Sequence, residues 1–338
     1  MWLSWRVATE RALYAERGFY RRTELPARHF RTSVHASPVF ARAILALLAH
    51  VDKAMGHPAA LDVVDVGAGG GELLGQLHEL APDELAGRLR LTAVEIRPRP
   101  DGLPDAVSWV DTVPAGITGL VMANEWLDNV PVDVVEQTTG RLRLVLVDPA
   151  TGNERLGGRP TTADVRWLAT WWAPGIGERA EIGRPRDEAW VDLLGHLANG
   201  YALAVDFHHH RTDRPPGGTV AGYRGGRWVS PVPDGSCDIC AHVALDACAA
   251  AGERFGANDT VLTTQRDALL ALGIDGQQPE LSLADRDPVG YLRAQRLAGE
   301  AAELLDPAGL GGFGWLFQAV APNRQHIPAR WLSTVDHR

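Results

Sequence analysis

The stretch Leu61–Gly71, LDVVDVGAGGG, continued by Glu72–Leu80, ELLGQLHEL, constrains this chain more than any other. Val63, Val64 and Val66 make the short β-branched run of a strand buried on both faces. Four glycines follow at Gly67, Gly69, Gly70 and Gly71, and then Leu73, Leu74, Leu77 and Leu80 recur at helical spacing. Strand, glycine turn and helix open a nucleotide-binding βαβ unit. The glycines let the backbone turn sharply and let a ligand lie against it without meeting a Cβ.

A dinucleotide fingerprint reads G-x-G-x-x-G and sets a pyrophosphate on the helix N-terminus. Here the glycines run G-x-G-x-G (Gly67, Gly69, Gly71, with Ala68 between the first two), and an acid, Asp65, stands inside the strand. That variant suits S-adenosylmethionine, which carries an ammonium and no phosphate. The next apolar run, Leu89–Ile96, supplies Glu95, an acid about 20 residues on that is placed for ribose hydroxyls. A plain turn with a surface glutamate is the other reading.

At 338 residues and 45% hydrophobic, the chain can bury a large core. The net charge of -9 and the lack of arginine- or lysine-rich stretches argue against nucleic acid or a membrane surface as partner. No apolar run reaches the ~20 residues of a membrane span. The N-terminus has charges throughout and no apolar core of a signal peptide. Three cysteines, an odd number, argue against a disulfide framework. A cytoplasmic protein is the expectation.

Residues 1–55 read as a helical preface, with a loop over Gly18–Phe30 and a helix capped by Ser37, with Pro38 in its first turn. Phe40, Ile44, Leu47, Leu48 and Val51 form its buried stripe. Strands are expected at Val107–Val110 and Gly119–Ala123, and a hairpin about Thr139-Gly140. Ala150–Pro185, interrupted by Val165–Trp172, reads as an insertion. A helix over Asp187–Leu197, capped by Asp187, leads into the strand Tyr201–Asp206. Arg211–Asp234 reads as a long loop. Ala241–Ala251, Arg266–Leu272 and Val289–Leu305 read as helices, with strands at Val261–Thr264 and Phe313–Ala321, the last stopped by Pro322. This alternation implies a doubly wound parallel α/β sheet with a late added strand. Ligands bind such sheets beyond the strand carboxyl ends, here Gly67–Gly71, Glu95, Asn124–Asp128 and Asp206–His210.

After the fourth strand stands Asn124-Glu125-Trp126-Leu127-Asp128-Asn129-Val130-Pro131. Acids there suit a cationic acceptor such as a guanidinium, which takes bidentate carboxylate contacts; otherwise Asp128 only turns the loop before Pro131. The chain resembles the MidA-like family of S-adenosylmethionine-dependent methyltransferases, which includes the mitochondrial complex I assembly factor that methylates an arginine. VVDVGAGGGELL resembles its glycine motif, ANEWLDNVPV its NE-F-L-D-A-L-P-V signature, GYALAVDF its strand ending in D-Y-G, and GSCDICAHV its G-x-x-D-[IL]-T-A-H-V. Gly18-Phe19-Tyr20 and Phe30-Arg31-Thr32-Ser33 are similar to its N-terminal motifs.

The resemblance implies a Rossmann-like class I methyltransferase domain over 56–338, with inserted cap elements at about 150–185 and helical additions at about 265–305, and an N-terminal segment on the acceptor side. It implies S-adenosylmethionine at Asp65, Gly67, Gly69, Gly71 and Glu95. Ala68, Asp111 (reaching the adenine amine) and Asn124 complete the expected cofactor set, and Glu125 and Asp128 would orient the acceptor. The chain departs from the family at Arg28-His29, Val34-His35, Phe207-His208 and Cys240, all on the acceptor side. Loss of an aspartate at His29 weighs against a cationic acceptor.

His208, His209 and His210, with His29 and His35, offer a base for a hydroxyl or amine acceptor, and His208 is the candidate of the three; a solvated histidine run is the plainer reading. Consecutive residues of a strand point oppositely, so at most two of the three share a face. Cys237-x-x-Cys240 with His242 and Cys248 lacks the second pair of a zinc site, and no metal is expected. Trp167, Trp171 and Trp172 either stack on substrate or pack the insertion, the latter favoured. Three functions are thus open. The chain transfers a methyl group to an arginine or other polar group of a protein, or to a small molecule through a histidine base, or it keeps the fold as a cofactor-binding assembly protein.

Overall fold

The structure is a computed structural model that describes residues 1–21 and 33–321. Its centre is a seven-stranded sheet, formed by Leu61–Val66 (β1), Leu89–Val94 (β2), Val107–Val110 (β3), Ile117–Asn124 (β4), Leu197–Asp206 (β5), Asn258–Thr264 (β6) and Gly314–Val320 (β7). The spatial order is β3-β2-β1-β4-β5-β7-β6. Strands β1 to β5 pair in parallel, and β7 slots antiparallel between β5 and β6. This is the expected doubly wound sheet, with the late strand inserted next to the edge. The order reverses between β1 and β4, so the crevice opens beyond Val66 and Asn124.

Alternation along each strand sends neighbouring residues to opposite helical layers. Leu61, Val63, Leu120, Met122, Leu203 and Val205 face the helices Pro38–Ala54, Glu72–Leu80, Gln265–Ala271 and Pro288–Leu305. Val64, Val66, Val121, Ala123, Ala202 and Ala204 face Arg184–Gly195 and Leu245–Phe255. Phe40, Ile44, Leu47, Leu48 and Val51 are fully buried, as their spacing predicts. Ser37 caps that helix, accepting from the Val39 amide at 2.9 Å while its hydroxyl donates to Glu300 at 2.6 Å.

The expected insertion, 150–185, is tied into a second sheet by strand pairing. Glu154–Leu156 pairs with one strand of the expected hairpin, Leu142–Val147, and Arg179–Glu181 with the other, Val134–Gln137. Leu3–Ser4 completes this second sheet. The stretch Arg211–Asp234 carries a hairpin, Ala221–Arg224 with Arg227–Val229, which joins Asp238–Cys240 in a third sheet. The helix expected from Asp187 begins at Arg184, with Pro185 in its first turn, so Asp187 is not its cap. Its carboxylate instead accepts from Trp167 Nε1 at 2.7 Å. Pro322 and residues 22–32, His29 among them, lie outside the described residues. Among those described, no helix is long and apolar enough to cross a membrane.

Ser37 holds a helix start and a second helix at once. Ser37→Ala is expected to destabilise the protein by about 1–2 kcal/mol, the usual range for a lost N-cap, read as a lowered midpoint of urea unfolding at unchanged m-value.

Candidate active site

A cavity of about 740 Å³ opens beyond the carboxyl ends of the parallel strands. Its cofactor half is lined by Asp65, Gly67, Ala68, Gly69, Glu72, Glu95, Arg97, Asp111 and Asn124. The loop after β1 turns through positive φ at Gly67 and Gly71, the region where a side chain is strained. A Cβ on Gly71 would also stand 2.9 Å from Leu103, and Gly71 does not line the cavity. Gly71 is therefore a turn and packing residue, which corrects its expected place against the cofactor.

The loop amides are already engaged. Gly69 N–H donates to Glu95 Oε2 at 3.1 Å, and Gly70 N–H donates to Glu72 Oε2 at 2.9 Å. The Arg97 amide donates to Glu95 Oε1 at 3.1 Å. A pyrophosphate would find these donors occupied by carboxylates and three acids facing it. S-adenosylmethionine fits. Asp65 and Glu72 offer negative charge to an ammonium, and Glu95 has lone pairs left for sugar hydroxyls. Asn124 Oδ1 is buried with no partner, an acceptor awaiting a donor. Asp111 stands exposed at the rim. Burial, then the charges of Glu72 and Glu95, push the Asp65 carboxyl up to about 7.

The acceptor half is built on the turn after β4. Glu125 sits at φ 50, unusual for a residue with a side chain, and its amide donates to the Val205 carbonyl at 2.8 Å. Asp206, at the end of β5, receives the Leu127 and Asp128 amides on one oxygen at 2.9 and 3.2 Å. That grip fixes the short 3₁₀ turn Leu127–Asn129. Tyr20 Oη stands 2.8 Å from Asp238 Oδ1 and 2.9 Å from Asn129 Oδ1, and Tyr14 Oη donates to the Asn129 carbonyl at 3.1 Å. The two tyrosine rings stack at 5.7 Å.

Burial and mutual repulsion raise these carboxyls. Glu125 is pushed up to about 8 by burial and then Asp128, and Asp238 up to about 6 by burial. Asp206 is pushed up to about 8 by burial, against which the Arg186 charge works. Asp128 lies well above the ordinary range, through burial and then the Asp206 and Asp238 charges. Asp128 Oδ1 is buried without a hydrogen-bond partner.

Of the expected residues, Asp65, Gly67, Ala68, Gly69, Glu95, Asp111, Asn124, Glu125 and Asp128 share this one cavity. His208 does not. Alternation past β5 aims Phe207 at the cavity, while His208 bridges to Val243, meets the His210 ring at 4.7 Å and keeps Nδ1 buried without a partner. His209 packs edge-on against Trp172. Trp167 and Trp172 lie in a buried cluster under the second sheet, away from the cavity. The three cysteines are free and buried, and among the described residues no group of three or more His, Cys, Asp or Glu is placed to hold a metal. Tyr14, Tyr223 and Asn129 were not foreseen as site residues. Tyr20 and Asp238 fall inside quoted motifs, whereas nothing local marks Tyr14, which sits on an amphipathic helix.

Residues 41–262 match the family model described as "Putative S-adenosyl-L-methionine-dependent methyltransferase". The chain belongs to this family. A crystal structure from Burkholderia thailandensis, of a "likely methyl transferase" bound to S-adenosyl-homocysteine, is 26% identical and superposes with a TM-score of 0.78, covering 94% of this chain and 88% of that one. A native crystal structure of a protein of the same superfamily and organism is 25% identical with a TM-score of 0.75, covering 94% and 87%. No curated protein sequence matches the chain. The methyltransferase is thus of class I, with S-adenosylmethionine as its cofactor.

Two outcomes are expected of the methyltransferase. Glu95→Gln weakens S-adenosylmethionine binding in calorimetry by about tenfold, the loss of charge-assisted hydrogen bonds. In the unliganded protein, Asp65, Asp206 and Glu125 hold protons that the unfolded chain, with ordinary carboxyls near 4, has released. The folded state binds more protons across that window, so stability falls as pH rises from about 4 to about 8. Thermal scans should show the midpoint falling from pH 5 to pH 8, with the upper part of the slope flattened in Glu125→Gln.

Proposed function

We propose that the methyltransferase modifies a cationic nitrogen, foremost the guanidinium of an arginine, on a protein. One observation carries the reading. Glu125, Asp128 and Asp238 line the acceptor half together, whereas the one arginine or lysine among the described lining residues, Arg97, stands beside Glu95 in the cofactor half. Buried carboxyls left with raised pKa values are a site prepared for a cation from outside. The aromatic faces of Tyr14 and Tyr20 add to that preference. This acid set supplies what the substitution at His29 takes from the family's pattern. A histidine-based reading finds no support in the placement of His208.

In this reading the bound cofactor supplies an electrophilic methyl group on its sulfonium. Glu125 and Asp128 hold the guanidinium in line with it, and orientation in a dry cavity is the main contribution of the protein. An arriving cation favours the ionised form of Glu125, which then takes the proton the nitrogen loses on methylation. Phe207, Phe313 and Leu310 add apolar lining to the cavity. The resemblance to a family that includes an arginine-methylating assembly factor supports a protein substrate here, with entry past the N-terminal segment that contributes Tyr14 and Tyr20.

The test is transfer of labelled methyl from S-adenosylmethionine to proteins of a cell lysate, followed by acid hydrolysis. Label in methylarginine is expected; label in a methyl ether, or released as methanol from a carboxyl methyl ester, or none in protein with a labelled small molecule instead, overturns the reading. Transfer should rise with pH along a limb near 8, because Glu125 must be ionised to hold the cation. Glu125→Gln should lose that limb and at least about a hundredfold in rate, within the range of a lost general base, with cofactor affinity kept.

A further inference from the structure

Arg186 belongs to no motif and does not line the cavity, yet it is 2% exposed in the first turn of the Arg184–Gly195 helix. A buried arginine ordinarily answers a carboxylate. The hydrogen bonds given to this guanidinium go instead to three main-chain carbonyls. Nη2 donates to Asp128 O at 2.6 Å, Nε to Val130 O at 3.2 Å, and Nη1 to His242 O at 2.7 Å. The first two carbonyls belong to the turn that presents Asp128. The third follows the strand Asp238–Cys240, which carries Asp238. The Ala241 amide donates to the same Asp128 carbonyl at 3.2 Å, so the two acid-bearing segments are stitched at one point.

We propose that Arg186 is the positioning residue of the acceptor half, its planar fork and its charge together setting the spacing of Asp128 and Asp238. The proposal rests on the acceptor reading above. A fork with donors in fixed directions is needed to reach three carbonyls of two segments at once, which a lysine cannot reproduce. The charge has many neighbours. Asp128, Asp206 and Glu181 face it, as do His209, His242, Cys240 and Cys248, and it opposes the raising of the three carboxyls by burial. Beyond it, Glu125, Asp238, Tyr14, Tyr20 and Tyr223 complete the ring of titratable groups about Asp128. Asp65, across the cavity, owes its shift to burial and then to Glu72 and Glu95, and not to Arg186.

The two parts of the role separate in two variants of the full chain. Aspartate carboxyls labelled with ¹³C are titrated by NMR. In Arg186→Met the titration of Asp206 should move up by about one pH unit or more, as loss of a nearby cation requires, while that of Asp65 stays. Arg186→Lys keeps the charge and loses the fork. Its Asp206 titration should stay near wild type, while transfer to lysate protein falls by about tenfold or more and S-adenosylmethionine affinity stays within about twofold. An unmoved Asp206 in Arg186→Met, or wild-type transfer by Arg186→Lys, overturns the proposal. Should Arg186→Met fail to fold, Arg186→Lys decides by the same split between transfer and cofactor affinity. Absence of methylarginine with the wild-type protein would sink the acceptor reading alone, since the carboxyl titrations need no acceptor.

Discussion

Everything around the crevice is arranged about one costly fact: carboxyl groups from four strand ends and from the strand Asp238–Cys240 are gathered and buried together. Like charges a few ångströms apart in a medium less polar than water repel by several kcal/mol, and burial adds to that. The fold supports the arrangement with two thick apolar layers on either face of the sheet and with main-chain donors. Asp206 takes two amides, Glu95 takes two, and Glu72 takes one. The repulsion that remains is held by protonation, which is why several of these carboxyls keep their protons near neutral pH.

The same carboxylates that are costly together choose the ligand. In the cofactor half they close the glycine-loop amides to phosphate and leave charge for an ammonium and acceptors for a sugar. In the proposed reading, a cationic acceptor relieves the repulsion of the acceptor half when it binds. Binding and neutralisation are then one event, because a cation that enters near Glu125 lowers that group's proton affinity and so prepares the form that holds it. The tyrosines beside Asp238 and Asn129 fix the acids' orientation without adding charge.

Residues 61–80 were legible because every signal there is local. A β-branched run, glycines needed by positive φ, and a leucine period each act within a few residues. The turn Asn124–Asp128 was legible as a strand end for the same reason. The strands Glu154–Leu156 and Arg179–Glu181 were not, since the first is wholly exposed and both exist only by pairing with the hairpin of 134–147. In Arg211–Asp234 the Gly225-Gly226 pair is a two-residue hairpin signal that surrounding prolines and glycines obscured. Pro185 marked the end of an insertion in composition but the first turn of a helix in geometry. His208 misled because three consecutive histidines draw attention to chemistry, while strand alternation gives the cavity to Phe207.

The two halves of the cavity also differ in how they are assembled. The cofactor half comes largely from 65–113, three neighbouring strands and the helices after the first of them, whose contacts are near in sequence. The acceptor half needs Tyr14 and Tyr20, the turn at 125–129, the end of β5, and the strand Asp238–Cys240, brought together only when the second and third sheets have docked on the first. Contacts that span so much chain carry a larger closure entropy. The glycine loop and Glu95 are therefore shaped without the acceptor side, whereas the spacing of Glu125, Asp128 and Asp238 depends on the docking contacts, with Arg186 at their centre. This division lets substitutions in the second and third sheets reshape the acid cluster without disturbing the turn after β1.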